Sequence, residues 1–254
     1  MEANKPAWVE LSTTDPAAAR DFYAKVFGWR IEVSPDPQYG GYALAYTGDE
    51  GVAGIGGKRP GDTSPSNWSL YVGTADADST AAKVASAGGT VVAPPFDVPA
   101  QGRMTVFQDP SGAFLSVWQA RAMQGFKSGG EHQFGWAELS ARGFDKDIPF
   151  YKTVFGWDAK KSTAGGADGP PYTEFQVNGE SVAGAMEMAP AIPAQVPSYW
   201  MPYFNVGDVD ASFRKVTDAG GREMVAPQDM PGGRFAIVSD PQGAAFGLLK
   251  MRPR

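Results

Sequence analysis

Residues 7–14 alternate apolar and polar positions, as a strand with one covered face does. Asp15-Pro16 follows, a side-chain acceptor and a first-turn proline, and together they predict a helix start. Ala18, Phe22 and Val26 give that helix its apolar stripe, and Gly28 ends it. Strands are expected near 29–34, 42–47 and 51–57, the last two joined by the turn Gly48-Asp49-Glu50. Then the order restarts. A strand at 67–73 leads to a helix from about Asp78 to Ala87, stopped by Gly88-Gly89. Strands near 90–93, 103–108 and 113–119 complete the pattern, with Asp109-Pro110-Ser111-Gly112 as the last turn. The pattern is β-α-β-β-β, twice.

The remainder of the chain repeats it. Trp8-Val9-Glu10-Leu11-Ser12 returns as Trp136-Ala137-Glu138-Leu139-Ser140, and Phe22-Tyr23 with Phe27-Gly28-Trp29 returns as Phe150-Tyr151 with Phe155-Gly156-Trp157, all 128 residues on. Val52-Ala53-Gly54 matches Val182-Ala183-Gly184 at 130, and Asp109-Pro110-Ser111-Gly112-Ala113 matches Asp240-Pro241-Gln242-Gly243-Ala244 at 131. A drift of a few residues, confined to loops, identifies a duplication. Pro149 falls where the third helix would have its second turn, so that helix is expected to start late, near Asp145 or Asp147. The expected organisation is a first domain at 1–120, a linker at 121–133 containing Gly125, Ser128, Gly129 and Gly130, and a second domain at 134–254. The fold class is α+β, with four βαβββ units in two similar halves.

Composition removes several function classes. A net charge of −6 with no basic run argues against a nucleic-acid surface. With no cysteine there is no disulfide, thiolate nucleophile or thiolate metal site. The start, Met1-Glu2-Ala3-Asn4-Lys5-Pro6, has no apolar segment of the signal-peptide kind, and no apolar run is long enough for a membrane span. The expectation is a cytoplasmic protein, monomer or homodimer, without nucleic-acid or membrane partners.

The βαβββ unit, the Phe-Tyr of its first helix, the Phe-Gly-Trp ending that helix and the Asp-Pro-x-Gly turn before the last strand resemble the vicinal oxygen chelate superfamily. That superfamily includes glyoxalase I, extradiol dioxygenases and bleomycin-resistance proteins. Almost the whole chain shares the resemblance, and two-domain actinobacterial members called hydroxylases, glyoxalase-like proteins or secreted antigens look most similar. The resemblance implies that paired units form half-open barrels, with four metal-ligand positions in the metal-using members. Here those positions are Trp8 or Trp136, Gly54 or Gly184, Ser69 or Met201, and Ser116 or Gly247. None is a usual ligand of a divalent ion. The only histidine, His132, lies in the linker. No metal is therefore expected, and no cofactor is assigned.

Alternation along the strands suggests what lines the two cups instead. Trp8, Glu10 and Ser12 share a face, as do Trp136, Glu138 and Ser140. Tyr71 and Tyr203 join them from the fifth strands, and Trp118 from the last strand of the first half. Trp68 and Trp200 are further candidates for an aromatic shelf, and Arg103 and Arg234 for anion contacts at the rim. Each of these residues also has a structural reading: tryptophans and tyrosines as core, glutamates and arginines as local ion pairs, Asp109 and Asp240 as turn formers. The first functional reading is a metal-free protein that binds an apolar or aromatic small molecule. The second is a metal-independent enzyme (hydroxylase, isomerase or glyoxalase-like) with Glu10 or Glu138 as general base, its pKa raised by burial among rings. The third is an interaction protein whose cups are filled by side chains.

Overall fold

The structure is a computed structural model that describes residues 2–163 and 171–252. The first half contains β1 (Pro6–Thr13), α1 (Pro16–Phe27), β2 (Arg30–Val33), β3 (Ala43–Thr47), β4 (Glu50–Gly57), β5 (Asn67–Gly73), α2 (Ala77–Ser86), β6 (Thr90–Val98), β7 (Gly102–Gln108) and β8 (Phe114–Ala120). The second repeats the order: β9 (Phe134–Ala141), α3 (Asp147–Phe155), β10 (Asp158–Ser162), β11 (Tyr172–Val177), β12 (Glu180–Glu187), β13 (Tyr199–Asn205), α4 (Val209–Asp218), β14 (Arg222–Met230), β15 (Gly233–Ser239) and β16 (Ala245–Met251). Each half forms one eight-stranded mixed sheet. The orders are β2-β3-β4-β1-β5-β8-β7-β6 and β10-β11-β12-β9-β13-β16-β15-β14. The architecture is α+β, as the repeat predicts. Among the described residues, no helix is long and apolar enough to cross a membrane.

The helix ends follow local chemistry. Asp15 caps α1 through the Ala18 amide, Pro16 occupies the first turn, and Gly28 closes the helix at φ 67°. Asp76 caps α2, so that helix begins one residue before the expected Asp78. α3 starts at Asp147 after a short 3-10 turn at Phe144–Lys146. β6 runs to Val98 rather than stopping near 93, through Pro94 and Pro95. It lies at the edge of its sheet, where the missing amides cost no inner pairing, and its register shifts between Ala93 and Phe96.

Packing divides the chain into two compact units, each drawing on both halves of the sequence. One comprises 1–8, 70–125 and 136–201; the other comprises 9–69, 126–135 and 202–254. In the first unit α2 packs on α3, over a core containing Phe107, Phe150, Tyr151, Trp157, Phe175 and Trp200. In the second α1 packs on α4, with Tyr23, Phe27, Trp29, Trp68, Phe204 and Phe246 in its core.

One pattern of polar contacts recurs in both cores. In the first unit the Tyr151 hydroxyl donates to Asp109 at 2.6 Å and accepts from the Trp200 indole at 2.8 Å. In the second the Tyr23 hydroxyl donates to Asp240 at 3.1 Å and accepts from the Trp68 indole at 3.0 Å. The Phe-Tyr motif of each half is thus held by the Asp-Pro turn of the other. Burial pushes both phenols well above the ordinary tyrosine range, and the neighbouring carboxylate adds to it.

Candidate functional site

The strongest constellation lies in the first unit, on one face of β9, β11, β12 and β13. Leu139 and Ala141 of β9 are fully buried, whereas Trp136 and Glu138, on the opposite face, are half-buried. Glu138 stands beside Gly184 of β12, and Gly184 in turn stands beside Glu174 of β11. These three positions therefore share a face. Tyr172, two residues before Glu174, reaches over the same spot. A Cβ built on Gly184 would overlap the Tyr172 hydroxyl, so only glycine lets that phenol lie there.

The polar atoms join into a line. The Trp136 indole donates to the Tyr172 hydroxyl at 2.8 Å, and that hydroxyl donates to Glu138. Burial, then the Glu138 charge, pushes the Tyr172 phenol well above the ordinary tyrosine range. Glu174 accepts from the Ser162 and Ser181 hydroxyls. Tyr199 of β13 is hydrogen-bonded to Ser140, and burial, with Glu138 as a smaller cause, raises its pKa. The second unit carries a related contact: the Tyr42 hydroxyl donates to Glu10 at 2.9 Å, and Glu10 stands beside Gly54 on β4. There Leu44 takes the place that Glu174 holds beside Gly184.

The other residues singled out by sequence are distributed as follows. Ser12 is half-buried on the Glu10 face, and Trp8 is buried. Tyr71 is buried and in register with Ser116. Trp118 packs against Gly102, where a Cβ would meet its ring, and its indole donates to the Met123 carbonyl at 2.9 Å. Trp68 and Trp200 are in the aromatic cores, bonded to Tyr23 and Tyr151 rather than gathered with the glutamates. Tyr203 lies over Gly247, its neighbour in register, where a Cβ would overlap the ring. Arg103 chelates Asp78 through two nitrogens and also bonds Asp97; Arg234 does the same with Asp210 and Asp229. Those partners hold both guanidiniums in the charged form, at half-buried positions. Tyr42 and Tyr172 are not among the residues singled out by sequence. They stand 130 residues apart, the same offset as Val52-Ala53-Gly54 and its copy, and that equality is the signal that finds them.

The four metal-ligand positions that the resemblance implies carry no His, Asp or Glu in either half. Among the described residues no three His, Asp or Glu side chains converge. In the second half Gly184 is covered by a phenol and Gly247 by a ring. His132 stands with its ring beside Phe27, and its carbonyl accepts from the Trp29 indole at 2.8 Å. What the arrangement offers is aromatic surface, phenol hydroxyls and a carboxylate over a glycine floor. Gly184→Ala is expected to displace Tyr172 from Glu138 and destabilise the fold by about 1–3 kcal/mol, measurable by urea denaturation.

Relatives and solved structures agree with this architecture. The chain is 39% identical over 254 residues to the Mycobacterium tuberculosis protein named "Putative glyoxylase CFP32", covering 98% of this chain and 95% of that protein. It is 34% identical over 261 residues to the anthracycline biosynthesis protein DnrV of Streptomyces peucetius, covering 97% and 93%. In fold it is similar to the Mn(II)-bound glyoxalase from Novosphingobium aromaticivorans, with a TM-score of 0.66 at 16% identity, over 97% of this chain and 82% of that one. The Glyoxalase/Bleomycin resistance protein/Dioxygenase superfamily matches at residues 5–117 and again at 133–248, once in each copy of the repeat. With both copies matched and the paired eight-stranded sheets in place, the chain belongs to that superfamily.

Proposed function

We propose that this protein binds an apolar, aromatic small molecule without a metal ion, on the faces that carry Glu138 and Glu10. The observation that carries the reading is the line from Trp136 through Tyr172 to Glu138 over Gly184. It combines ring surface for stacking with one acidic group for orientation, as small-molecule sites do. Trp136, Glu138 and Tyr199 are each only partly covered, so a ligand has side chains to meet there. The similarity to a protein of anthracycline biosynthesis supports a planar, polycyclic ligand. A second reading, turnover with Glu138 or Glu10 as general base, is favoured by the direct contact of each carboxylate with a phenol: an O–H group already fits within proton-transfer distance.

Titrating the purified protein with 2-hydroxyanthraquinone in a buffer containing EDTA tests the first reading through tryptophan fluorescence. Saturable quenching that chelator leaves unchanged is the expected result, with the compound recovered intact. Binding that EDTA abolishes and a divalent ion restores would overturn metal independence. Absence of saturable binding would overturn the aromatic-ligand reading, and a changed mass of the recovered compound would establish turnover instead.

A further inference from the structure

The direction of the hydrogen bonds around the two glutamates selects one class of ligand. An indole N–H donates and cannot accept, so the Tyr172 oxygen must be the acceptor of the 2.8 Å bond from Trp136. The one proton of that phenol then goes to Glu138. In the other half the Tyr42 phenol likewise donates to Glu10 at 2.9 Å. Both lines run the same way and end on a carboxylate, which accepts only. Beside Gly184 a second carboxylate follows suit: Glu174 accepts from two serines. A ketone, ether or nitro group turned toward Glu138 or Glu10 would set lone pairs against a carboxylate. A hydroxyl or N–H on the edge of a ring would do what the chain's own phenols already do there.

We infer that the ligand is a hydrogen-bond donor, an aromatic compound bearing a ring hydroxyl or ring N–H that it gives to Glu138 or Glu10. This rests on the aromatic-ligand reading above and narrows it. Tyr172 and Tyr42 are then positioning residues: each shares its carboxylate with the ligand, competes for it and holds it in place.

The test uses two probes of nearly equal shape, 2-naphthol and 2-methoxynaphthalene, both neutral at pH 7, with the full chain. The naphthol is expected to bind about tenfold tighter or more, because the ether leaves the carboxylate without its donor. In the double variant Glu10→Gln/Glu138→Gln the ratio of the two dissociation constants falls towards one, since an amide also donates to an ether oxygen. In Tyr42→Phe/Tyr172→Phe the ratio rises, because the internal competitor is gone; a purely structural role for the tyrosines would weaken both probes together. Equal binding of the two probes to the wild-type protein overturns the donor inference and leaves the aromatic reading standing. A preference that survives in the glutamine variant overturns its assignment to these glutamates. Binding of neither probe overturns both readings.

Discussion

Asp109→Ala is expected to destabilise the protein by about 3–4 kcal/mol in urea denaturation, more than a change at Arg103 or Arg234. Asp109 is buried, and its carboxylate accepts from the Ser111 and Ala113 amides, the Ser111 hydroxyl and the Tyr151 hydroxyl. Alanine strands two backbone donors in the turn and leaves the Tyr151 proton without its acceptor. Tyr151→Phe keeps the turn intact and should cost only about 1–2 kcal/mol, the worth of its polar contacts to Asp109 and Trp200. The order of the two losses is the discriminating measurement. If Asp109→Ala proves the milder change, the aspartate is not the centre of this network.

The second large effect is a dependence of stability on pH. Asp147 is fully buried at the start of α3, and its pKa is pushed up to about 7, first by burial and then by the charge of Asp109. One of its oxygens accepts from the Ser111 amide; the other is buried with no hydrogen-bond partner among the described residues. A carboxyl group whose folded pKa lies above its unfolded value favours folding while it keeps its proton. That contribution is complete below about pH 4, declines as pH rises, and is gone above about pH 7. The interval corresponds to as much as about 4 kcal/mol. Asp147→Asn should therefore flatten the stability profile between pH 4 and 7 and raise stability at pH 8. Denaturant titrations across that range check it, and a variant with the wild-type slope would refute the assignment. The equivalent position in the first half is Ala19, also fully buried, so the effect belongs to one unit only.

Much of this molecule is legible in its sequence, because the repeat supplies every element twice. The late start of α3 follows from Pro149 and the cap of α1 from Asp15, whereas α2 is capped by Asp76, ahead of the start expected at Asp78. The site is harder to read. Trp68 and Tyr71 lie three residues apart on one strand and so face opposite sides; strand parity separates them, but both sides of the sheet are covered, and hydrophobicity marks no cup. Asp109 and Asp240 read as turn formers, which they are. Their second task, holding a tyrosine of the other half, spends a lone pair on a residue far away in sequence, and no local pattern encodes that. Asp147 escaped for a similar reason. A charged residue at a helix start is ordinary, and only packing shows that this one is out of water.

The exchange of Asp-held tyrosines between halves also governs the chain's birth on the ribosome. Tyr23 emerges early, but the carboxylate that accepts its proton lies 217 residues later, and Phe246, which packs against Phe22, Tyr23 and Phe27, comes later still. At about 5–20 residues per second, α1 waits roughly 10–40 s before its partner exists. Throughout that time Phe22, Tyr23 and Phe27, almost wholly buried in the finished protein, have no completed core to enter. A nascent chain of this design carries the apolar face of its first helix without a finished core through most of its synthesis, and a chain stopped before Asp240 lacks the carboxylate that takes the Tyr23 proton.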